Sequence, residues 1–343
     1  MSTSAADISA SLPHSSGASP LDASGSRGFP PPLSISPQAQ AVLSGPGFGT
    51  VPPPLPEPHD LQGWRRHIAE HNATLAALLL NDVPEEACSA TWDKISGVPI
   101  VRARPATCLF GEGKVLLEIH GGALIYMGGE LVRSAAKLLV MRTGSELISI
   151  DYRMPPDHPF PAALDDCLAV YIELLREIGA ENLIVYGTSA GGNLAAALLL
   201  RARDEGHAMP AALILISPEI DLTESGDSFR TLLGIDRMGL LTAANQLYAN
   251  GQPLDHPYLS PLFGDVSGFP STFLQSGTRD LFLSNTVRMH RALRTAGIVA
   301  DLHIWEAMPH GGFFGAPEDE EVFSEVRQFM GRHWQSAVLG ARR

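Results

Sequence analysis

The feature that most constrains this chain is an alternation that begins near residue 90, where short β-branched or leucine-rich runs trade places with longer helical patterns. Such alternation is the signature of a mostly parallel sheet covered by helices on both faces, an α/β fold. The clearest strands are 115–119, 147–150, 183–186, 213–216, 272–275 and 302–305. Helical patterns fit between and after them, at 130–141, 161–178, 191–205, 284–296 and 318–334. Residues 222–262 are too long for a simple crossover and mix helical pattern with Pro and Gly, which predicts an insertion over the sheet.

Upstream the character changes. Residues 1 to about 45 are rich in Ser, Ala, Gly and Pro and carry no sustained period that could bury a face, so they read as a disordered tail. A proline-rich connector follows from Pro52 to Pro58. Asp60 then precedes Leu61, Trp64, Ile68, Leu75, Leu78 and Leu79, one apolar helical stripe behind a capping aspartate.

A chain of 343 residues, 45% hydrophobic and 18% charged, has room for one globular catalytic domain with a short appendage. Its 24 Lys and Arg against 37 Asp and Glu leave a formal charge of −13, which opposes a nucleic-acid partner, because such binding neutralises phosphates with basic side chains. No window approaches the ~20 apolar residues of a membrane span. The N-terminus also lacks the basic start and apolar run of a secretory signal, so a cytoplasmic location is expected. Cys88, Cys108 and Cys167 are odd in number and widely separated, which suits neither a disulfide framework nor a zinc site, and each reads as a free thiol.

Three motifs carry chemistry. Gly187-Thr188-Ser189-Ala190-Gly191 matches G-x-S-x-G, a pattern common by chance but placed here where a strand ends and a helix begins. A sharp turn there would project the Ser189 hydroxyl from the sheet edge over the positive end of the helix. The other reading, a glycine-rich nucleotide-binding turn, lacks the Lys-Ser/Thr pair of a phosphate loop. Upstream, strand 115–119 runs into His120-Gly121-Gly122-Ala123, whose amides at Gly121 and Gly122 would face a developing oxyanion, with Ala190 N–H as third donor.

A serine nucleophile needs a base, and the chain order of serine, acid, histidine directs the search to the C-terminal third. Among His256, His290, His303, His310 and His333, His310 lies in the loop leaving the last strand, within Met308-Pro309-His310-Gly311-Gly312. His303 lies inside that strand, His290 and His333 fall on helices, and His256 sits in the insertion. For the acid, Asp280 follows strand 272–275 in Ser276-Gly277-Thr278-Arg279-Asp280, and Asp221 follows strand 213–216 as its rival. Asp280 is favoured because it stands nearer its strand's carboxyl end.

Taken together, His120-Gly121-Gly122-Ala123, Asp151-Tyr152-Arg153, Gly187-Thr188-Ser189-Ala190-Gly191, Asp280 and His310 resemble the bacterial hormone-sensitive-lipase family of esterases, in its branch with Thr before the serine. The resemblance covers about residues 55–335 and includes the run from Asp151 to Phe160 ahead of the helix carrying Asp165 and Asp166. It implies an α/β-hydrolase fold with a helical cap, and a catalytic triad of Ser189, Asp280 and His310. It also implies hydrolysis of short-chain carboxylic esters without metal or organic cofactor, and it allows a homodimer. The implied division is a tail at 1–45, the first part of the cap at 46–85, catalytic segments at 86–221 and 263–336 around a cap insertion at 222–262, and a tail at 337–343. Ala123 departs from the third glycine often found after the histidine; its N–H remains, but its methyl would narrow the acyl pocket. Asp151, Tyr152 and Arg153 read as structural supports of the loops around the hole.

Two other functions stay open on the same residues. An amidase, formamidase or lactone hydrolase would use the same triad. A non-catalytic module could keep the pocket for a small ligand, although it would have no need of all three triad residues.

Overall fold

The computed structural model describes residues 29–79 and 87–334. Its centre is an eight-stranded sheet in the order β1-β2-β4-β3-β5-β6-β7-β8. The strands are β1 (Cys88–Ile95), β2 (Val98–Pro105), β3 (Val115–Ile119), β4 (Leu147–Ile150), β5 (Leu183–Thr188), β6 (Ala212–Ile216), β7 (Thr272–Gly277) and β8 (Ala300–Trp305). β1 pairs antiparallel with β2, and β2 antiparallel with β4; every other pairing is parallel.

The central parallel strands are buried along their whole length because both of their faces are covered, and apolar residues dominate them. Side chains alternate across a strand, so neighbours such as Leu116 and Leu117 enter different cores. On the Leu117 side lie α4 (Ala162–Ile178), α5 (Ala190–Asp204) and α8 (Leu283–Thr295). On the Leu116 side lie α3 (Glu130–Thr143) and α9 (Pro317–His333). Helix α5 is buried on every side from Ala190 to Leu200, which its Ala- and Leu-rich sequence permits.

Sequence reading finds β3 to β8 and misses the first two strands. β1 and β2 form a hairpin closed by Ser96 and Gly97, both at positive φ (51° and 84°), as a tight primed turn requires. The Ser-Gly pair was the available signal, but the alternation around it is blurred by Pro99 and by a largely exposed β1.

The disordered tail drawn over residues 1–45 needs correction in its second half; residues 1–28 lie outside the described residues, as does the tail at 337–343. Pro37–Leu43 is a helix, α1, capped by the Ser36 hydroxyl, which accepts from Ala39 N–H at 3.1 Å. Ile35, Ala39 and Leu43 are buried in the Leu116-side core, and Ser36 donates to Glu318 of α9 through both its N–H and its hydroxyl. Three apolar contacts four residues apart span only two helical turns, too short a run to stand out in a tail rich in Ser, Gly and Pro, yet they suffice to dock one short helix.

Helix α2 (Leu61–Leu79) begins where expected, with Asp60 Oδ1 accepting from Gly63 N–H at 2.8 Å. The 222–262 stretch contains α6 (Ser228–Thr231) and α7 (Thr242–Ala249). Trp64 of α2, Phe229 of α6 and Leu247 of α7 share a third cluster with Tyr126 and Phe282, which sit on loops at the carboxyl ends of β3 and β7. Among the described residues no helix is long and apolar enough to cross a membrane. The three cysteines are free thiols.

Candidate active site

Ser189 occupies the turn between β5 and α5 with φ 56° and ψ −123°, a backbone conformation that L-residues rarely adopt. Its neighbours make the strain sterically tolerable. A Cβ on Gly191 would run into the Ile119 and His120 carbonyls, and one on Gly187 would meet the backbone of Gly191 and Gly192. The turn is fastened by Ser189 N–H donating to Ile216 O at 2.9 Å. Because Ser189 stands at the N-cap of α5, its hydroxyl lies at the positive end of a fifteen-residue helix.

His310 follows β8, and its Nε2 lies 3.0 Å from Ser189 Oγ. Its Nδ1 lies 3.2 Å from Asp280 Oδ1, just beyond β7. Asp280 is fully buried, and its other oxygen accepts from Ser276 Oγ at 2.6 Å while Oδ1 also accepts from Phe282 N–H at 2.9 Å. Burial alone would push this carboxyl up, but the bonds and charge of His310 and the hydroxyls of Ser276 and Ser217 outweigh it and hold Asp280 below the ordinary range. The carboxylate is therefore ionised and aimed at the Nδ1 edge of the imidazole. Phe282 closes the His310 ring edge-to-face at 4.9 Å.

Of the other sequence candidates, Asp221 is also fully buried, but its oxygens are taken by Arg288 (2.5 Å), Ser225 (2.6 Å) and Thr223. His303 stacks on Phe273, His256 accepts from Tyr258 N–H, and His333 packs on Phe329. The geometry brings His310 and Asp280 to the serine and leaves these apart.

The loop after β3 approaches the serine closely: a Cβ on Gly121 would lie 3.3 Å from Ser189 Cβ. Beyond it Gly122, Ala123, Leu124 and Met127 all have positive φ, so this loop is shaped by strain that its supports must resist. The supports come from Asp151-Tyr152-Arg153. Asp151 accepts from Gly129 N–H at 3.1 Å, Tyr152 donates to His120 O at 2.8 Å, and Arg153 pairs with Asp166 at 2.8 Å. His120 stacks on Tyr152 at 4.2 Å and donates from Nδ1 to Gly121 O at 2.7 Å. Burial pushes His120 down to about 4, so it is neutral near pH 7 and serves as a pillar rather than a base.

Sequence reasoning missed two residues of the insertion. Asp236 is fully buried and accepts from Leu281 N–H at 2.7 Å and from His310 N–H at 3.4 Å. Its neighbour Arg237 donates to the His310 carbonyl. Nothing local marks them, because both act on loops more than forty residues away.

Comparison with known proteins places this geometry among relatives. Residues 116–314 match a family described as alpha/beta hydrolase fold. An acetyl-hydrolase of Streptomyces hygroscopicus is 32% identical over 228 residues, spanning 65% of this chain and 72% of that protein. The crystal structure of an esterase, E25, superposes with a TM-score of 0.81 at 35% identity, covering 90% of this chain and 98% of that one. A hormone-sensitive-lipase homologue from a metagenome library, EstE7, superposes with a TM-score of 0.71 at 29% identity, covering 82% and 100%.

Proposed function

Given that this chain belongs to the alpha/beta hydrolase fold family and is a carboxylic ester hydrolase of the hormone-sensitive-lipase type, we propose that Ser189, His310 and Asp280 carry out its acyl transfer. The observation that carries the proposal is the unbroken relay from Ser189 Oγ to His310 Nε2 (3.0 Å) and from His310 Nδ1 to Asp280 Oδ1 (3.2 Å).

Ser189 attacks the ester carbonyl as His310 takes its proton, and the Ser–acyl bond forms through a tetrahedral oxyanion. The amides of Gly121, Gly122 and Ala190 hold that negative charge; losing one such donor typically costs ~3 kcal/mol of transition-state stabilisation. His310 returns the proton to the departing alcohol. Water, activated by the same imidazole, then cleaves the acyl-enzyme and releases the acid, with Asp280 orienting the ring in both halves. The triad and hole supply nucleophile, base and charge stabilisation, so the scheme invokes no metal or organic cofactor.

Short acyl groups are the proposed substrates. Ala123 stands next to Gly122, where its methyl would narrow the acyl side, and the similarity to an acetyl-hydrolase agrees in direction. Helices α2, α6 and α7, joined through their shared apolar cluster, serve as the cap that lines the rest of the pocket.

The test is hydrolysis of a chromogenic ester series from acetyl to dodecanoyl by the wild type and by Ser189→Ala. Activity on the short members that is lost in the variant is the expected result. Activity that survives the substitution, or a preference for long acyl chains, contradicts the proposal at the nucleophile or at the pocket respectively.

A further inference from the structure

His310 is held from outside the catalytic sheet. Its backbone N–H donates to Asp236 Oδ1 (3.4 Å), and its backbone carbonyl accepts from Arg237. Two consecutive residues of the insertion thus grip both polar groups of one peptide residue. The second oxygen of Asp236 reaches the other loop, accepting from the N–H of Leu281, the residue after Asp280, at 2.7 Å. One buried carboxylate therefore bonds the backbones of the acid loop and the base loop together.

Arg237 completes the grip by packing rather than by a direct ion pair. Its guanidinium lies over the Phe314 ring at 4.1 Å and near Phe48 at 6.0 Å, and a Cβ on Gly311 would come within 2.6 Å of its Nη2. Glycine at 311 leaves the space that this guanidinium uses.

The clamp also carries charge. The groups around Asp236 are Asp280 from the β7–α8 loop, His310 from the β8–α9 loop and its own neighbour Arg237; Arg237 in turn feels Asp319 of α9. A negative charge at Asp236 favours the imidazolium that forms during the reaction, and a positive charge at Arg237 opposes it. Low-dielectric surroundings strengthen both effects.

We propose that Asp236 and Arg237 are positioning residues, which lock the Asp280 and His310 loops in register and bias the imidazole's proton equilibrium in opposite directions. Burial and the charge of Asp280 push Asp236 up to about 6, so its charge is present above that pH and fades below it.

The inference rests on His310 being the base, and the experiment separates the two claims. The pH dependence of kcat/KM for an acetyl ester is measured for the wild type, Asp236→Asn, Arg237→Gln and Ser189→Ala, with thermal unfolding recorded for each. Loss of the negative charge should move the acid limb of Asp236→Asn to lower pH, and loss of the positive charge should move that of Arg237→Gln to higher pH, each by about half a unit. kcat should fall roughly tenfold in both with KM changed less than about twofold, because the loops hold the base and not the substrate. A purely structural anchor would lower the unfolding temperature and leave both limbs in place; that outcome overturns the proposal. Should Asp236→Asn fail to fold, Arg237→Gln decides alone, since an unmoved or downward limb refutes it. Activity retained by Ser189→Ala would instead sink the triad reading on which this one stands.

Discussion

Asp221 and Asp280 are both fully buried aspartates beyond the carboxyl ends of neighbouring strands, and only their partners distinguish them. Asp221 faces Arg288 and two hydroxyls; Asp280 faces His310. Asp280→Asn should lower kcat by ~10³- to 10⁴-fold, because an amide can stabilise neither the tautomer nor the charge of the imidazole. Asp221→Asn should keep kcat within about tenfold while costing ~2 kcal/mol of stability, since Arg288 is partly exposed and water softens the loss of its partner. Steady-state kinetics beside urea unfolding checks both, and a larger kinetic loss in Asp221→Asn would reverse the assignment. At this scale the sequence was informative where chemistry is local. Gly187, Ser189 and Gly191 lie within five positions, and their close approach follows from the turn they form. Asp236 was invisible because its partners, Leu281 and His310, are 45 and 74 residues away.

Among the elements, α1 and the β1–β2 hairpin show how weak local patterns become definite through docking. α1 has seven residues, too few to be stable alone in water, and it persists because Ile35, Ala39 and Leu43 find the core beside α9. Deleting residues 1–45 should therefore destabilise the protein by ~3 kcal/mol, the scale of burying Ile35 and Leu43, and lower the urea midpoint. A tail without structure would leave the midpoint unchanged. The same deletion removes Phe29 and Pro30, whose carbonyls accept from Arg279 next to Asp280, so a loss of kcat should accompany the loss of stability. The hairpin has the complementary history. Its Ser96-Gly97 turn is local, but β1 is mostly exposed and packs chiefly against β2 and α3, so strand pairing rather than alternation defines it.

For the molecule as a whole, stability and pH are linked through a carboxyl inside the sheet. Glu118, in the middle of β3, is buried and accepts from the Ser149 hydroxyl, and burial pushes it up to about 7. The folded state therefore keeps the Glu118 proton between the ordinary glutamate range and about pH 7, while the unfolded state has released it. Stability from this group is fully present in acid and falls as pH rises through 7, by roughly 3 kcal/mol in all. Glu118→Gln cannot ionise, so it should match the wild type below about pH 4 and exceed it above about pH 8 in urea unfolding; equal midpoints at both pH values would refute the linkage. The sequence by itself determined the alternating strands and helices, the serine turn and the order of serine, acid and histidine, because each rests on residues close in the chain and on periods that local geometry enforces. Only the tertiary structure decided which aspartate faces the imidazole, where the first hairpin and the N-terminal helix dock, and how Asp236 and Arg237 bond the loop that carries His310. Those outcomes depend on side chains and peptide groups far apart in sequence, whose pairing exists only once the sheet and its helices have brought them together.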